Sequence, residues 1–103
     1  MNKRIALAHP FTMHDKHVDS LEIKEPNGAL VVRLGLPRIL VVNQSGSGYW
    51  IEQPGVIESY LNQIIVHESG AAVLNAMSLQ DALAVKAALF GFFDAAQAKA
   101  TPE

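Results

Sequence analysis

Near Pro54 the spacing of apolar residues changes, and that change constrains the fold more than anything else in the chain. Before it, apolar residues alternate or form short runs. Ile5 and Leu7 interleave with Arg4, Ala6 and Ala8, and Leu21 and Ile23 share one face of residues 18–24. A half-buried strand requires period two, because successive side chains point to opposite faces. After Pro54, the residues Val56, Ile57, Tyr60, Leu61, Ile64 and Ile65 recur at helical spacing, with Glu58, Asn62 and Gln63 around the rest of the circumference. Strands first and helices afterwards predict an α+β fold: N-terminal β-hairpins followed by a C-terminal helical half of two or three helices.

The punctuation sharpens that outline. Residues 13–17 are short and polar, as a hairpin connection should be. Pro26 then holds Glu25 extended and has no N–H for a ladder, which ends the second strand. Asn27 suits the cap of a short helix over 29–34, closed by Gly35, although Val31-Val32 would serve a strand equally well. Two apolar runs, 38–42 and 49–52, flank the Asn/Gln/Ser/Gly loop 43–48 and predict a second hairpin. Pro54 fits the first turn of the next helix. Residues 67–70 interrupt, and 71–77 read as a short helix. Ser78 and Asp81 have the spacing of a capping box, and Asp81 places negative charge at the positive end of the helix dipole. The last helix carries a stripe of Ala82, Val85, Leu89, Phe92 and Phe93, widened by Leu79, Leu83 and Phe90. Large apolar residues cease at Ala95, so the expectation is one domain over 1–95 and a flexible tail over 96–103.

Composition narrows the partners. A chain of 103 residues makes one ordinary domain. Its eight Lys and Arg are scattered and its net charge is -2, so it lacks the basic stripe of a nucleic-acid binder. With no cysteine there are no disulfides, thiolate nucleophiles or Cys-based zinc sites. Pro10 cuts short any signal-like start, and no apolar run approaches the ~20 residues that span a bilayer. The expected protein is soluble and intracellular, with neither nucleic acid nor membrane as partner.

Few residues offer chemistry. His9, His14 and His17, with Asp15 and Asp19 nearby, are ligand types for zinc and would underlie a small metal-dependent enzyme, but they straddle a presumed turn where solvated side chains belong. Ser45-Gly46-Ser47-Gly48 runs into Tyr49-Trp50, whereas a phosphate loop feeds a helix N-terminus. The pairs Glu22/Glu25 and Glu52/Glu58 show no sign of the desolvation that acid–base catalysis needs. No catalytic, cofactor or metal residue is therefore assigned. Residues 89–93, Leu-Phe-Gly-Phe-Phe, differ: three Phe within four positions cannot share one helix stripe. Phe90, Phe92 and Phe93 are the candidate partner-binding residues, competing with a plain role in the core.

In order along the chain stand Pro10-Phe11-Thr12, Leu21-Glu22-Ile23-Lys24-Glu25-Pro26, Leu34-Gly35-Leu36-Pro37, Ile57-Glu58-Ser59-Tyr60-Leu61, and Met77-Ser78-Leu79-Gln80-Asp81-Ala82 leading to Gly91-Phe92-Phe93. This succession, from about Ile5 to Phe93, resembles the Mu-like family of phage tail assembly chaperones. Residues 38–52 are more strand-like than those landmarks imply. The resemblance implies a non-enzymatic protein of the host bacterial cytoplasm, absent from the mature virion. Such a protein binds the tape measure protein, keeps it soluble and helps the tail tube protein polymerise around it. The resemblance also implies a longer form made by frameshifting, and it brings no catalytic residues. Surplus apolar helix surface further predicts homo-oligomers. The competing expectation is a structural subunit of the tail, in which hairpins add strands to neighbours.

Overall fold

The computed structural model describes residues 2–100 and has the expected α+β fold, with N-terminal strands and a C-terminal helical part. Strands β1 (Asn2–Met13) and β2 (Lys16–Lys24) form an antiparallel hairpin. Its connection is shorter than the expected 13–17: Met13 pairs with Lys16 and Thr12 with His17, leaving only His14 and Asp15 in the turn. Both have positive φ, 51° and 63°, the left-handed pair that a two-residue hairpin turn needs to match strand twist. Leu21 and Ile23 are buried on one face, as their alternation predicts, while Glu22 on the other pairs with Arg4 at 3.2 Å.

The β1 ladder is interrupted. Ala6 pairs with Ser20 and Phe11 with Val18, so β1 takes five steps where β2 takes two. The resulting bulge holds Pro10, which cannot donate to a ladder and is tolerated where pairing lapses.

Helix α1 (Gly28–Leu34) begins as expected, with the Asn27 side chain accepting the Leu30 N–H at 3.0 Å. It ends at Gly35, whose φ of 81° favours glycine. Strands β3 (Arg38–Val42) and β4 (Gly48–Glu52) form the second hairpin, separate from the first sheet. Helix α2 (Pro54–Ile64) starts at its proline but stops one residue short of the predicted stripe. Ile65 leaves the helix and, with Val66, forms β5, which pairs with Ile23 and Glu22. The free edge of β2 offers backbone partners, and two β-branched residues suit that edge better than another helical turn. Residues Gly70–Ala76 form a 3-10 helix, tighter than the α-helix expected there. Helix α3 (Leu79–Ala100) closes the described chain. It runs through the first residues of the expected tail 96–103, because alanines and Lys99 are good helix formers without packing. Residues 101–103 lie outside the described residues.

The core lies between the inward face of the β1–β2–β5 sheet and the helices. Leu21, Ile23, Tyr60, Ile64, Val73, Val85 and Leu89 are all but inaccessible to solvent. Leu79 and Leu83, expected to widen the α3 stripe, are exposed instead. A chain this long packed into a ball has a radius of gyration of about 13 Å. The observed 15.3 Å reflects what projects from this core, above all the second hairpin and the long α3.

Candidate functional site

The one buried charge among the described residues is Asp81, at the start of α3. Its carboxylate accepts the N–H groups of Ala8 and His9 at 2.7 and 2.9 Å, the backbone donors that the β1 bulge removes from the ladder. Ser78 completes the arrangement: its hydroxyl donates to the carboxylate at 3.1 Å and accepts the Asp81 N–H at 3.2 Å. The capping-box pair is thus present, but its acid reaches across to β1. Burial pushes the Asp81 carboxyl up; the hydrogen bonds from Ala8, His9 and Ser78 outweigh it and leave the group below the ordinary aspartate value. A carboxylate so occupied is a structural clamp, with no lone pair aimed at a substrate.

The sequence's other chemical candidates are placed apart. His9 meets the Gln80 side chain at 3.1 Å, His14 sits in the turn, and His17 lies in the β2 ladder. Among the described residues no three metal-ligating side chains converge. Glu52 pairs with Lys86 at 2.9 Å. The Ser/Gly loop leads into β4; Asn43 organises it by accepting the N–H groups of Ser45 and Ser47. No helix of the described residues is long and apolar enough to cross a membrane.

The three Phe of α3 point in different directions, as residues 100° apart must. Phe90 is buried beneath the Arg38 guanidinium, 4.4 Å from its ring centre. Phe93 is half-buried and meets Tyr60 edge-on at 5.3 Å. Tyr60 is itself fixed, donating its hydroxyl to the Gly35 carbonyl, and burial raises its phenol above the usual value. Phe92 is half-buried, with the Lys3 ammonium 5.1 Å from its ring centre. Phe92 and Phe93 line a groove of about 300 Å³ with Pro26, Val31, Leu36 and Ala96. A second cleft of about 350 Å³ adjoins it, sharing Leu36 and Phe93 and bounded by Leu40, Trp50 and Phe90. Together they make a continuous apolar trough along the C-terminal half of α3, between α1 and the β3–β4 hairpin.

That hairpin is an arm. None of residues 39–51 is buried. Its ties to the body lie at its base. Arg38 is stacked between Trp50 (4.3 Å) and Phe90 and bonded to Asp94 at 3.0 Å, and Gln53 donates to the carbonyls of Pro37 and Leu36. An uninterrupted apolar run such as 39–42 ordinarily marks a strand covered on both faces; here it lies in the open. That run, with Tyr49 and Trp50 opposite, was the sequence signal for this surface. Comparison with protein-family models, curated proteins and solved structures finds no match for this chain.

Proposed function

We propose that this chain is a non-enzymatic phage tail assembly chaperone, which binds apolar helical stretches of the tape measure protein and so promotes assembly of the tail tube. It acts in the host bacterial cytoplasm and is left out of the finished virion. The observation that carries the reading is the trough beside α3. It is open, almost wholly apolar, and floored by Phe92 and Phe93 on a helix whose other faces are committed to the core. An amphipathic helix docks in such a groove through residues spaced three and four apart. A tape measure protein is a long helical chain whose apolar stripes are bare until the tube encloses them. Covering those stripes requires contact area and no reacting group, in keeping with the structural role of Asp81.

The test is co-expression with the tape measure protein of the same phage. The expected result is a soluble complex that Phe92→Ser weakens by about tenfold or more, as loss of an interfacial aromatic does, while Leu83→Ser, exposed and outside the trough, leaves it intact. A tape measure protein that stays insoluble, or a Phe92→Ser chain that binds like the parent, overturns the reading. The uncovered arm favours one alternative, a structural subunit whose strands join those of its neighbours. Mass analysis of purified virions separates the two, since only the structural subunit persists in the particle.

A further inference from the structure

The arm poses a problem that the trough does not solve. A two-stranded hairpin is marginal in water unless a third strand or a packed face supports it. This one pairs regularly over five cross-strand positions with no bulge. Exposed edges are usually guarded by charge, proline or a bulge. Residues 39–51 contain no charged residue and no proline. Directly opposed residues share a face, so Ile39 and Ile51 lie beside Val41 and Tyr49 on one face, and Leu40 and Trp50 on the other. Six large apolar side chains on this small unit, Ile39, Leu40, Val42, Tyr49, Trp50 and Ile51, are between 43% and 58% exposed.

We infer that the arm is the contact surface for a second copy of this chain, arm packed on arm about a two-fold axis. Three features select a second copy. First, the surface is neutral over its whole length, so two identical copies bring no like charges together. A foreign partner is normally singled out by the charge pattern at the rim, and here the only charges, Arg38 and Glu52, are opposed across the base and held by Asp94 and Lys86. Second, the Ile39/Val41/Tyr49/Ile51 face is self-complementary. Laid antiparallel on itself, the bulky Val41–Tyr49 pair of one arm falls on the smaller Ile39–Ile51 pair of the other. Two-stranded ribbons twist more than broad sheets, so paired arms wrap and bring their flanks into contact. Third, the area suffices. At roughly 100 Å² for each half-exposed large side chain, the six leave roughly 600 Å² per copy. Two arms covering one another therefore bury roughly 1,200 Å², the lower bound of a specific interface. The α1–α3 groove stays open in this arrangement, so a dimer presents two sites for apolar helices.

Sedimentation equilibrium on the full chain across a concentration series tests this. The expected result is a reversible species of twice the 11.2 kDa monomer mass. Tyr49→Lys raises its dissociation constant by about tenfold or more; Val32→Lys on exposed α1, and Phe92→Ser in the groove, leave it unchanged. Because Tyr49→Lys risks loosening the arm itself, single-cysteine variants supply an independent reading in a chain with no cysteine of its own. Val41→Cys forms disulfide-linked dimers on mild oxidation and Val32→Cys does not. A chain that remains monomeric up to about 1 mM, or a Val41→Cys chain that crosslinks no better than Val32→Cys, overturns the inference and leaves the groove reading standing. An arm that becomes covered only on adding the tape measure protein likewise overturns it.

Discussion

Replacing Arg38 with alanine should release the arm while leaving the core as it is. The Arg38 guanidinium lies 4.3 Å from the Trp50 ring centre and 4.4 Å from that of Phe90, so it is stacked on both sides. Each such contact at a partly desolvated site is worth about 0.5–1 kcal/mol. The ion pair to Asp94 adds only a few tenths of a kcal/mol, roughly, because Asp94 is more than half exposed and solvent screens it. The attachment lost is therefore about 2 kcal/mol, equivalent to about a 30-fold change in the opening equilibrium. Hydrogen exchange reads this directly, since local and global opening have separate free energies. Ladder amides of residues 38–42 and 48–52 should exchange about 30-fold faster in Arg38→Ala, with those of Leu21 and Ile23 unchanged. Arg38→Lys keeps the charge but loses the flat stacking surface, and should fall between. If arm and core accelerate together, the arm is part of the cooperative core. If neither accelerates, the stacked guanidinium contributes nothing to attachment. Either result refutes the argument.

Asp81→Asn should lower the melting temperature at neutral pH, because an amide NH2 would then face a backbone N–H of the β1 bulge. The folded-state value for Asp81 lies below the ordinary 3.8, so its contribution is complete above that value and vanishes as pH falls through the folded value. The gap between parent and variant should accordingly close in acid, as thermal melts across pH 2–7 would reveal (roughly the range over which carboxylates titrate). Leu89→Ala, at a position inaccessible to solvent, should cost about 2–5 kcal/mol in urea denaturation. Tyr60→Phe removes the hydroxyl bond to the Gly35 carbonyl and should cost about 1 kcal/mol in the same assay.

Local rules exposed much of this fold before any coordinates. Alternation located β2 and placed Leu21 and Ile23 inward; Asn27, Gly35, Pro54 and Ser78 marked helix ends through their own backbone chemistry. What stayed hidden depended on distant partners. Ile65 belongs by spacing to α2, and only the open edge of β2 draws it into a strand. Asp81 fits a cap, but its second role needs a bulge 73 residues earlier in the chain. The apolar runs of the arm were legible as strands, whereas their exposure was not, since periodicity reports which residues match and not whether anything covers them. The three Phe were separable in principle by their angles around α3. Which of them is buried was decided by Arg38, from another element.

The clamp between Asp81 and the β1 bulge also sets an order of events. The β1–β2 hairpin is local, joined by a two-residue turn, and hairpins of this kind close within microseconds, about 1–10 µs. Yet the Ala8 and His9 donors have no ladder partner until residue 81 arrives, and during synthesis at about 5–20 residues per second that wait lasts several seconds. Throughout it the inward faces of β1 and β2 are without the α3 residues Val85, Leu89 and Phe90 that later cover them. The chain therefore completes its earliest strand with its latest helix, and a ribosome-bound fragment lacking α3 remains an open hairpin. For a protein that covers the apolar surface of others, the interval before its own last helix emerges is when it most needs covering itself.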